Sequence, residues 1–294
     1  MNRLYALQVS ELKKKFAALG VDISRLVGDL QEFELLEDES GLRRWSPPIA
    51  GDGQFYRDLA AGNQWYYLSD KKEYEIARQY IEGGPVLEVG CGEGSFALKG
   101  VLPCYVGLEL NEEAVRKAKS KGLNVLRQDF QDYAAQNPST VSCVCSFQVL
   151  EHLPSPESFF RSSFEVLKDD GLMITAVPAE DSFVGTMKDH CLNAPPHHIT
   201  RWTDKCLKNL PCRSGFQCLD IIHIPVEKIH ARLFWSTLLD RVVSQEGVGE
   251  GIRRKVKRKI FWAMLDVLGV PNTVPEDFFI PGHTVVAVHK KFSP

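Results

Sequence analysis

The stretch PVLEVGCGEGSF, residues 85–96, carries glycine at three alternate positions directly after a short apolar run. Glycine is favoured where the backbone must adopt a positive φ, or where a neighbour approaches too closely for a side chain. Gly90, Gly92 and Gly94 follow a predicted strand at 86–89 and precede a short predicted helix that begins in SFALKG. The pattern indicates either an ordinary tight turn between two elements or a loop that lies against a cofactor.

The sequence after this stretch alternates β-rich and helical segments. One helix is predicted at 111–122, where Asn111 caps the first turn and lysines end the last, and another at 155–171. This alternation predicts an α/β fold with a doubly wound, mainly parallel, seven-stranded sheet. Such sheets bind ligands at the carboxyl ends of their strands. The seven predicted strands are 86–89, 104–110, 124–129, 141–146, 172–178, 215–224 and 283–290.

The other segments predict how the chain is organised around this core. Apolar residues at helical spacing in SELKKKFAAL lead us to interpret residues 1–45 as helical. Two amphipathic helices are predicted before the last strand, with Ile229 and Leu238 on the apolar side of the first, as a lid or an interface. The predicted parts are a helical or irregular extension (1–50), a helical cap (51–84), the core (85–225), a helical insert (226–282) and the last strand (283–294).

Composition limits the function classes. A chain of 294 residues with 44% hydrophobic and 25% charged residues is typical of a globular protein with one large domain. The net charge of −3 gives no reason to expect a nucleic-acid partner. The apolar runs are far shorter than a membrane span, and the N-terminal residues do not resemble a signal peptide, so a cytoplasmic location is expected. The eight cysteines contain no CxxC pair, so we expect reduced thiols and no metal site.

Two classes of nucleoside cofactor compete for the glycine loop. A dinucleotide site requires G-x-G-x-x-G after the first strand, with an acidic residue about 20 residues later. Here the pattern is G-x-G-x-G, one residue shorter, and Glu88 stands two positions before the first glycine. Glu109 ends the second predicted strand, where its carboxylate can accept hydrogen bonds from ribose hydroxyls. The spacing disfavours an NAD-dependent oxidoreductase or epimerase, which stays an alternative.

Four motifs in order carry a resemblance to a known family. The segments LEVGCGEGSF, GLELN and RQDF resemble the motifs of class I S-adenosylmethionine-dependent methyltransferases. The segment CSFQVLEHLPSPESFF resembles the fourth-strand motif of the branch that includes ubiquinone-biosynthesis methyltransferases, and HHITRW resembles a segment of bacterial small-molecule and glycan-associated members. The resemblance covers residues 50–225 and implies the Rossmann-like methyltransferase fold, with S-adenosyl-L-methionine as the cofactor.

The resemblance implies a role for each motif residue. Glu109 would bind the ribose diol, Asp129 the adenine amine, and Glu88 the cofactor's amino group. Tyr67, with its aromatic neighbours in NQWYYLSD, could cover the sulfonium by a cation–π contact, or could belong to a packed connecting helix. Phe130 could contact adenine or pack in the core. The implied cofactor-binding residues are Glu88, Gly90, Cys91, Gly92, Gly94, Glu109, Leu110, Asp129, Phe130, Phe147, Gln148, Val149 and Tyr67.

Three histidines are candidates for the acceptor side of the site. His152 follows the fourth strand, and His197 and His198 follow two prolines after the fifth. Histidine is the usual base for a hydroxyl near neutral pH, so each is a candidate catalytic residue, with loop packing as the alternative. Because the prolines favour an extended backbone, we expect the side chains of His197 and His198 to diverge and only one to face the site.

These features together predict methyl transfer from S-adenosyl-L-methionine to an oxygen of a small-molecule or glycan-type acceptor. A run of Arg and Lys at 253–259 favours an anionic acceptor, although such a face can also be simply solvated or lie on a membrane surface. The helical insert could support a homo-oligomer. A methyltransferase-fold subunit that only binds, without catalysis, is the remaining alternative.

Overall fold

The computed structural model describes residues 1–63, 71–100, 102, 104–245, 263 and 279–292. Tyr67, its aromatic neighbours, and the second predicted helix of the insert with the basic run at 253–259 therefore lie outside the described residues. The strands are β1 (Asn2–Gln8), β2 (Glu32–Glu37), β3 (Arg43–Ser46), β4 (Val86–Val89), β5 (Val106–Leu108), β6 (Val125–Leu126), β7 (Val141–Phe147), β8 (Leu167–Pro178), β9 (Thr200–Arg201), β10 (Phe216–Pro225) and β11 (Pro281–Lys291).

The described helices alternate with the strands from β4 onward. They are α1 (Val9–Ala17), α2 (Ser24–Val27), α3 (Gly53–Gly62), α4 (Lys72–Tyr80), α5 (Ser95–Leu98), α6 (Glu112–Ser120), α7 (Phe130–Gln136), α8 (Pro156–Val166), α9 (Phe183–Thr186), α10 (Asp204–Asn209) and α11 (Lys228–Gln245). Short 3₁₀ turns occur at Leu150–His152, Cys191–Asn193 and Pro211–Ser214.

The predicted seven-stranded sheet is confirmed. Its strand order is β10-β11-β8-β7-β4-β5-β6. The pairs formed by β4, β5, β6, β7 and β8 are parallel, whereas β11 is antiparallel to both β8 and β10. The chain order reverses between β4 and β7, because β5 lies on one side of β4 and β7 on the other. That reversal places the carboxyl ends of β4, β5 and β7 around one crevice.

Alternate residues of the central strands supply two core clusters on opposite faces of the sheet. Leu87 and Val144 belong to a cluster that also contains α7, α8 and α10 side chains. Val86 and Cys143 belong to the other, with Tyr74 of α4 and further apolar residues. Helices on both faces make the sheet doubly wound, as the alternating pattern predicts.

The interpretation of residues 1–45 as helical is wrong outside α1 and α2. Strands β1, β2 and β3 form a second, antiparallel sheet, which β9 completes from far along the chain. The segment EFELLE has the two-residue period of a strand, because Phe33 and Leu35 are fully buried and Glu32 and Glu34 are not. These residues pack with α1, as the helical spacing of Leu12 and Phe16 predicts, in a separate core.

The described helix of the insert, α11, buries a different face from the predicted one. Ile229 and Leu238 are 48% and 39% exposed, whereas Ala231 and Leu239 are buried. Phe234 packs against Phe183 at 5.6 Å between ring centroids, and His230 stacks on His283 of β11 at 4.6 Å, so the helix contacts both the α9 segment and the seven-stranded sheet. None of the described helices is long and apolar enough to cross a membrane.

Candidate active site

A cleft of about 1130 Å³ opens at the carboxyl ends of β4, β5 and β7. Most of the predicted site residues line it. Gly94, His197 and His198 are described residues that do not line it, so the expectation that one of these two histidines faces the cleft is wrong. The predicted residues that line the cleft are Glu88, Gly90, Cys91, Gly92, Glu109, Leu110, Asp129, Phe130, Phe147, Gln148, Val149 and His152.

The glycines of the 90–94 loop all have positive φ, but they are required for two different reasons. A Cβ at Gly90 would stand 2.5 Å from Cγ2 of Val149, and one at Gly94 would stand 2.1 Å from Cδ1 of Leu123. A Cβ at Gly92, where φ is +53°, would meet no atom within 4 Å in the described part of the chain. Gly90 and Gly94 therefore permit close packing, and Gly92 leaves bare backbone at the cleft.

Glu109 is held in a fixed orientation at the end of β5. The Gly92 N–H donates to its Oε2 at 2.9 Å, and the Asn111 N–H donates to its Oε1 at 2.8 Å. Each carboxylate oxygen has a second lone pair, so both can still accept a hydrogen bond from a ligand. A vicinal diol presents two such donors, which is the geometry that the ribose role of Glu109 requires.

Glu88 is buried beneath the glycine loop, with 2% of its surface exposed. The Tyr105 hydroxyl donates to its Oε2 at 2.5 Å. Burial raises the pKa of Glu88 to about 8, and the Tyr105 hydrogen bond opposes only part of that effect. Burial also raises the pKa of the neighbouring Cys91 thiol, which therefore stays protonated and acts as a packing group. A cationic ligand group beside Glu88 would favour its ionised form.

The next part of the cleft follows β6. Asp129 caps α7 by accepting from the Gln131 N–H at 2.8 Å, a structural role that the sequence reasoning missed. Phe130 is nearly buried and packs on Phe159 at 5.2 Å between ring centroids, while still lining the cleft. Leu110, 63% exposed, lies at the rim. Both interpretations of Phe130, core packing and ligand contact, are therefore compatible with its position.

The segment after β7 forms the opposite wall. Phe147 packs between Tyr74 and Phe96, with ring centroids 4.9 Å and 4.8 Å away. Gln148 adopts a left-handed φ of +58°, rare for a residue with a side chain, and its N–H donates to the Ala176 carbonyl at 2.8 Å. Non-glycine residues in this conformation are enriched at functional sites, where the surrounding structure holds them.

The three histidines form one cluster, although only His152 lines the cleft. His197 and His198 do not diverge: their rings stack with centroids 4.3 Å apart. The reason is a turn in which the N–H groups of both residues donate to the Ala194 carbonyl at 3.1 Å, instead of the extended backbone we expected. One ring nitrogen from each of the three histidines lies within 4.8 Å of the others.

Glu151 lies inside this histidine cluster, and the sequence reasoning missed it. It is 1% exposed, and neither carboxylate oxygen has a hydrogen-bond partner among the described residues. Its Oε1 lies 3.9 Å from Nε2 of His198 and 4.0 Å from Nε2 of His152. Burial raises the pKa of Glu151 to about 8. The one available signal was an acidic residue directly before His152 at a strand end.

Two residues of α3 and the residue before α4 also line the cleft and were missed. Tyr56, Arg57 and Lys71 belong to its lining. The Tyr56 hydroxyl lies 3.1 Å from Nδ1 of His152, so this side of the cleft is continuous with the histidine cluster. Because Phe55 and Leu59 of α3 are buried in the N-terminal core, the neighbouring positions on the helix are turned toward the cleft.

Comparison with known proteins adds an independent line of support. A family model described as a methyltransferase domain matches residues 61–221, more than half of the chain. A probable S-adenosylmethionine-dependent methyltransferase of Mycolicibacterium smegmatis is 28% identical over 180 residues, which are 60% of this chain and 68% of that protein. A ubiquinone biosynthesis O-methyltransferase of Thiobacillus denitrificans is 31% identical over 102 residues, and the match spans 44% of that relative's length.

A solved structure has the same fold. A methyltransferase from Archaeoglobus fulgidus superposes with a TM-score of 0.53 at 16% identity, covering 82% of this chain and all of that one. The sheet order, the cleft and the family match agree, and the chain belongs to the class I S-adenosylmethionine-dependent methyltransferases. S-adenosyl-L-methionine is its cofactor, and the open backbone at Gly92 and the two-oxygen acceptor of Glu109 fit that cofactor.

Proposed function

We propose that this methyltransferase transfers the methyl group to an oxygen of a small-molecule or glycan-type acceptor. The observation that carries the proposal is the position of His152, which lines the cofactor cleft beside the Phe147–Val149 segment and the Tyr56 hydroxyl. S-adenosyl-L-methionine supplies an electrophilic methyl group on a sulfonium cation. The acceptor would bind at the end of the cleft formed by Tyr56, Arg57, Lys71 and His152.

The protonation state of His152 indicates how it can interact with an acceptor hydroxyl. Its Nδ1–H donates to the His197 carbonyl at 2.6 Å, so the lone pair is on Nε2. Burial lowers the pKa of His152 to about 4, and the imidazole is therefore neutral near pH 7. An imidazole with so low a pKa is a weak base, although its Nε2 lone pair can still accept a hydrogen bond from an acceptor hydroxyl, so positioning would supply more of the acceleration than proton removal.

Charge near this end favours an anionic acceptor. Arg57 follows Tyr56 in α3, and Lys71 is close enough to Glu151 for its charge to oppose the rise that burial causes in the pKa of that carboxyl; both cations line the cleft. The lining of the whole cleft carries charges of both signs, so the preference rests on these two cationic side chains, each of which could pair with an acidic group of the acceptor. The preference for oxygen is supported by the Thiobacillus denitrificans relative, an O-methyltransferase, which matches this chain over 102 residues.

An assay with isotopically labelled cofactor tests the proposal. The acceptor set would contain nucleotide sugars, sugar phosphates, neutral glycan fragments, small phenols and small amines. We expect transfer to hydroxyl compounds, with anionic acceptors favoured over neutral ones, and no transfer by Gly92→Val. Transfer to amines alone would contradict oxygen as the acceptor. Tight cofactor binding without transfer to any hydroxyl compound would favour a subunit that only binds.

A further inference from the structure

We propose that Glu151, His152, His197 and His198 form a binding site for a divalent transition-metal ion of the zinc type at the acceptor end of the cleft. Three imidazole nitrogens and one carboxylate oxygen are a donor set that suits Zn²⁺, Co²⁺ or Ni²⁺. The existence of this site rests on the histidine cluster and on the buried Glu151 beside it. Its catalytic consequence, described below, rests on the proposed function.

The spacing of the ligand atoms supports the site. One ring nitrogen of each histidine lies within 4.8 Å of the others. Tetrahedral zinc with Zn–N bonds of about 2.0–2.1 Å requires its ligand atoms to be about 3.3 Å apart. Shifts of about 1 Å, within reach of side-chain rotation, would close the cluster around an ion. Glu151 can supply the fourth ligand, because its Oε1 is 3.9–4.0 Å from the Nε2 atoms of His198 and His152.

The hydrogen bonds behind the rings orient them as ligands. Nδ1 of His152 lies 2.6 Å from the His197 carbonyl, and Nδ1 of His197 lies 2.8 Å from the Leu192 carbonyl. A carbonyl oxygen only accepts, so both Nδ1 atoms carry hydrogen and both Nε2 atoms carry the lone pair. A ring N–H donated to a backbone carbonyl is the usual support of a metal-binding histidine.

Glu151 is the independent observation that a cation belongs there. It is 1% exposed, and both of its oxygens are without a hydrogen-bond partner among the described residues. A buried carboxylate without a partner is costly, and a bound dication would satisfy it.

The ion would deepen the proposed function, on which this step depends. Because His152 lines the cleft, an acceptor oxygen could reach the ion from that side, either as a fifth ligand or in place of Glu151. Metal coordination lowers the pKa of a hydroxyl, whose proton is lost to water. The oxygen–methyl bond then forms as the sulfonium–methyl bond breaks, which leaves the neutral thioether product. Nε2 of His152 would serve as a metal ligand in place of the base that the sequence suggested.

Cobalt provides a spectroscopic test. The full chain is stripped with a chelator and titrated with Co²⁺, whose visible d–d bands report nitrogen ligation, and Zn²⁺ is added in a parallel thermal melt. We expect one Co²⁺ per chain and a rise in the melting midpoint with Zn²⁺. His198→Asn should weaken Co²⁺ binding at least tenfold. Glu151→Gln, which keeps the shape of the side chain, should weaken Co²⁺ binding at least tenfold as well. His223 lies outside the cluster and is hydrogen-bonded to Asp204, so His223→Asn should leave the Co²⁺ affinity unchanged.

Equal Co²⁺ affinity in the wild type and in both cluster variants would overturn the site, as would the absence of any Co²⁺ bands. If the stripped enzyme methylates hydroxyl compounds at the full rate and binds no Co²⁺, the metal site is wrong while the proposed function stands. Stoichiometric Co²⁺ binding that depends on His198 and Glu151, in a chain that methylates no hydroxyl compound, supports the site and counts against the proposed function.

Discussion

Among the individual residues, Gly92 offers the most direct test of contact with the cofactor. Its φ of +53° and the empty space around its missing side chain predict a specific result for Gly92→Val. The strained backbone should cost about 1–2 kcal/mol of stability. The added side chain would enter the cleft, so calorimetry should show cofactor affinity lowered by more than about 100-fold, or about 2.8 kcal/mol.

Gly122 is the matched control for that variant. It also has a positive φ, +81°, and a Cβ there would meet no described atom within 4 Å, yet it does not line the cleft. Gly122→Val should therefore lose about as much stability as Gly92→Val and keep its affinity for the cofactor. Equal affinity in the two variants would show that the loop does not contact the cofactor.

Glu109 gives a second prediction for cofactor binding. Glu109→Ala removes both acceptor oxygens offered to the ribose, and hydrogen bonds to a charged group contribute about 1.5–3 kcal/mol. Because the carboxylate also accepts from the Gly92 and Asn111 N–H groups, a thermal melt should accompany the calorimetry. The cofactor affinity of Glu109→Gln, which keeps one acceptor oxygen, should fall between those of the wild type and Glu109→Ala. Undiminished affinity in Glu109→Ala would remove the residue from the site.

Glu88 predicts a pH dependence of cofactor binding. With a pKa of about 8, its carboxyl is mostly protonated at pH 6 and ionises when the cofactor's ammonium binds. Binding should therefore release a proton, and affinity should rise by up to about tenfold from pH 6 to pH 7. Calorimetry in two buffers of different ionisation enthalpy measures that proton. The range stops at pH 7 because the free cofactor's amino group titrates near pH 7.7–8.0.

Glu88→Gln is the control, since it cannot ionise and should bind with no such slope. Proton release of the same size in both proteins would assign the effect to another group.

The sequence predicted most of the residues that line the cleft because chain order suffices for them. Glu88, Gly92 and Glu109 lie at the ends of consecutive parallel strands, which meet at one edge of a sheet. Tyr56 and Glu151 were missed because their roles depend on contacts between segments far apart in the chain, such as Tyr56 with His152. The stacking of His197 on His198 depends on a local turn, whereas the two preceding prolines led us to expect an extended backbone.

At the scale of elements, the N-terminal sheet supports the segment that carries two of the histidines. The Trp45 Nε1–H donates to the Asn193 carbonyl at 3.3 Å, and β3 pairs with β9 just after that segment. The helical spacing of α1 was visible in the sequence, but the sheet was not. Its fourth strand, β9, comes from residues 200–201, and pairing over such a separation leaves no local pattern.

A buried ion network joins this sheet to the core. Glu180 accepts from Nε of Arg201 at 2.7 Å and also from Arg43 of β3, and both Glu180 and Arg201 are buried. Glu180→Ala would leave the Arg201 charge buried without that partner. It should lower the free energy of unfolding by about 3–5 kcal/mol, as measured by urea denaturation.

The control for this variant is Glu37→Ala, which removes the other, more exposed partner of Arg43. It should cost about 1 kcal/mol or less. A loss in Glu180→Ala no larger than in Glu37→Ala would mean that the network does not hold the sheet in place.

For the whole molecule, the central claim is that the methyl group of the bound cofactor faces an acceptor oxygen at the His152 end of the cleft. The most direct measurement is carbon-13 NMR of the product formed with methyl-labelled cofactor, because methyl carbons bonded to oxygen, nitrogen and carbon resonate in separate ranges. We predict a single O-methyl signal, absent with Gly92→Val. An N-methyl or C-methyl signal in its place would contradict the proposed chemistry.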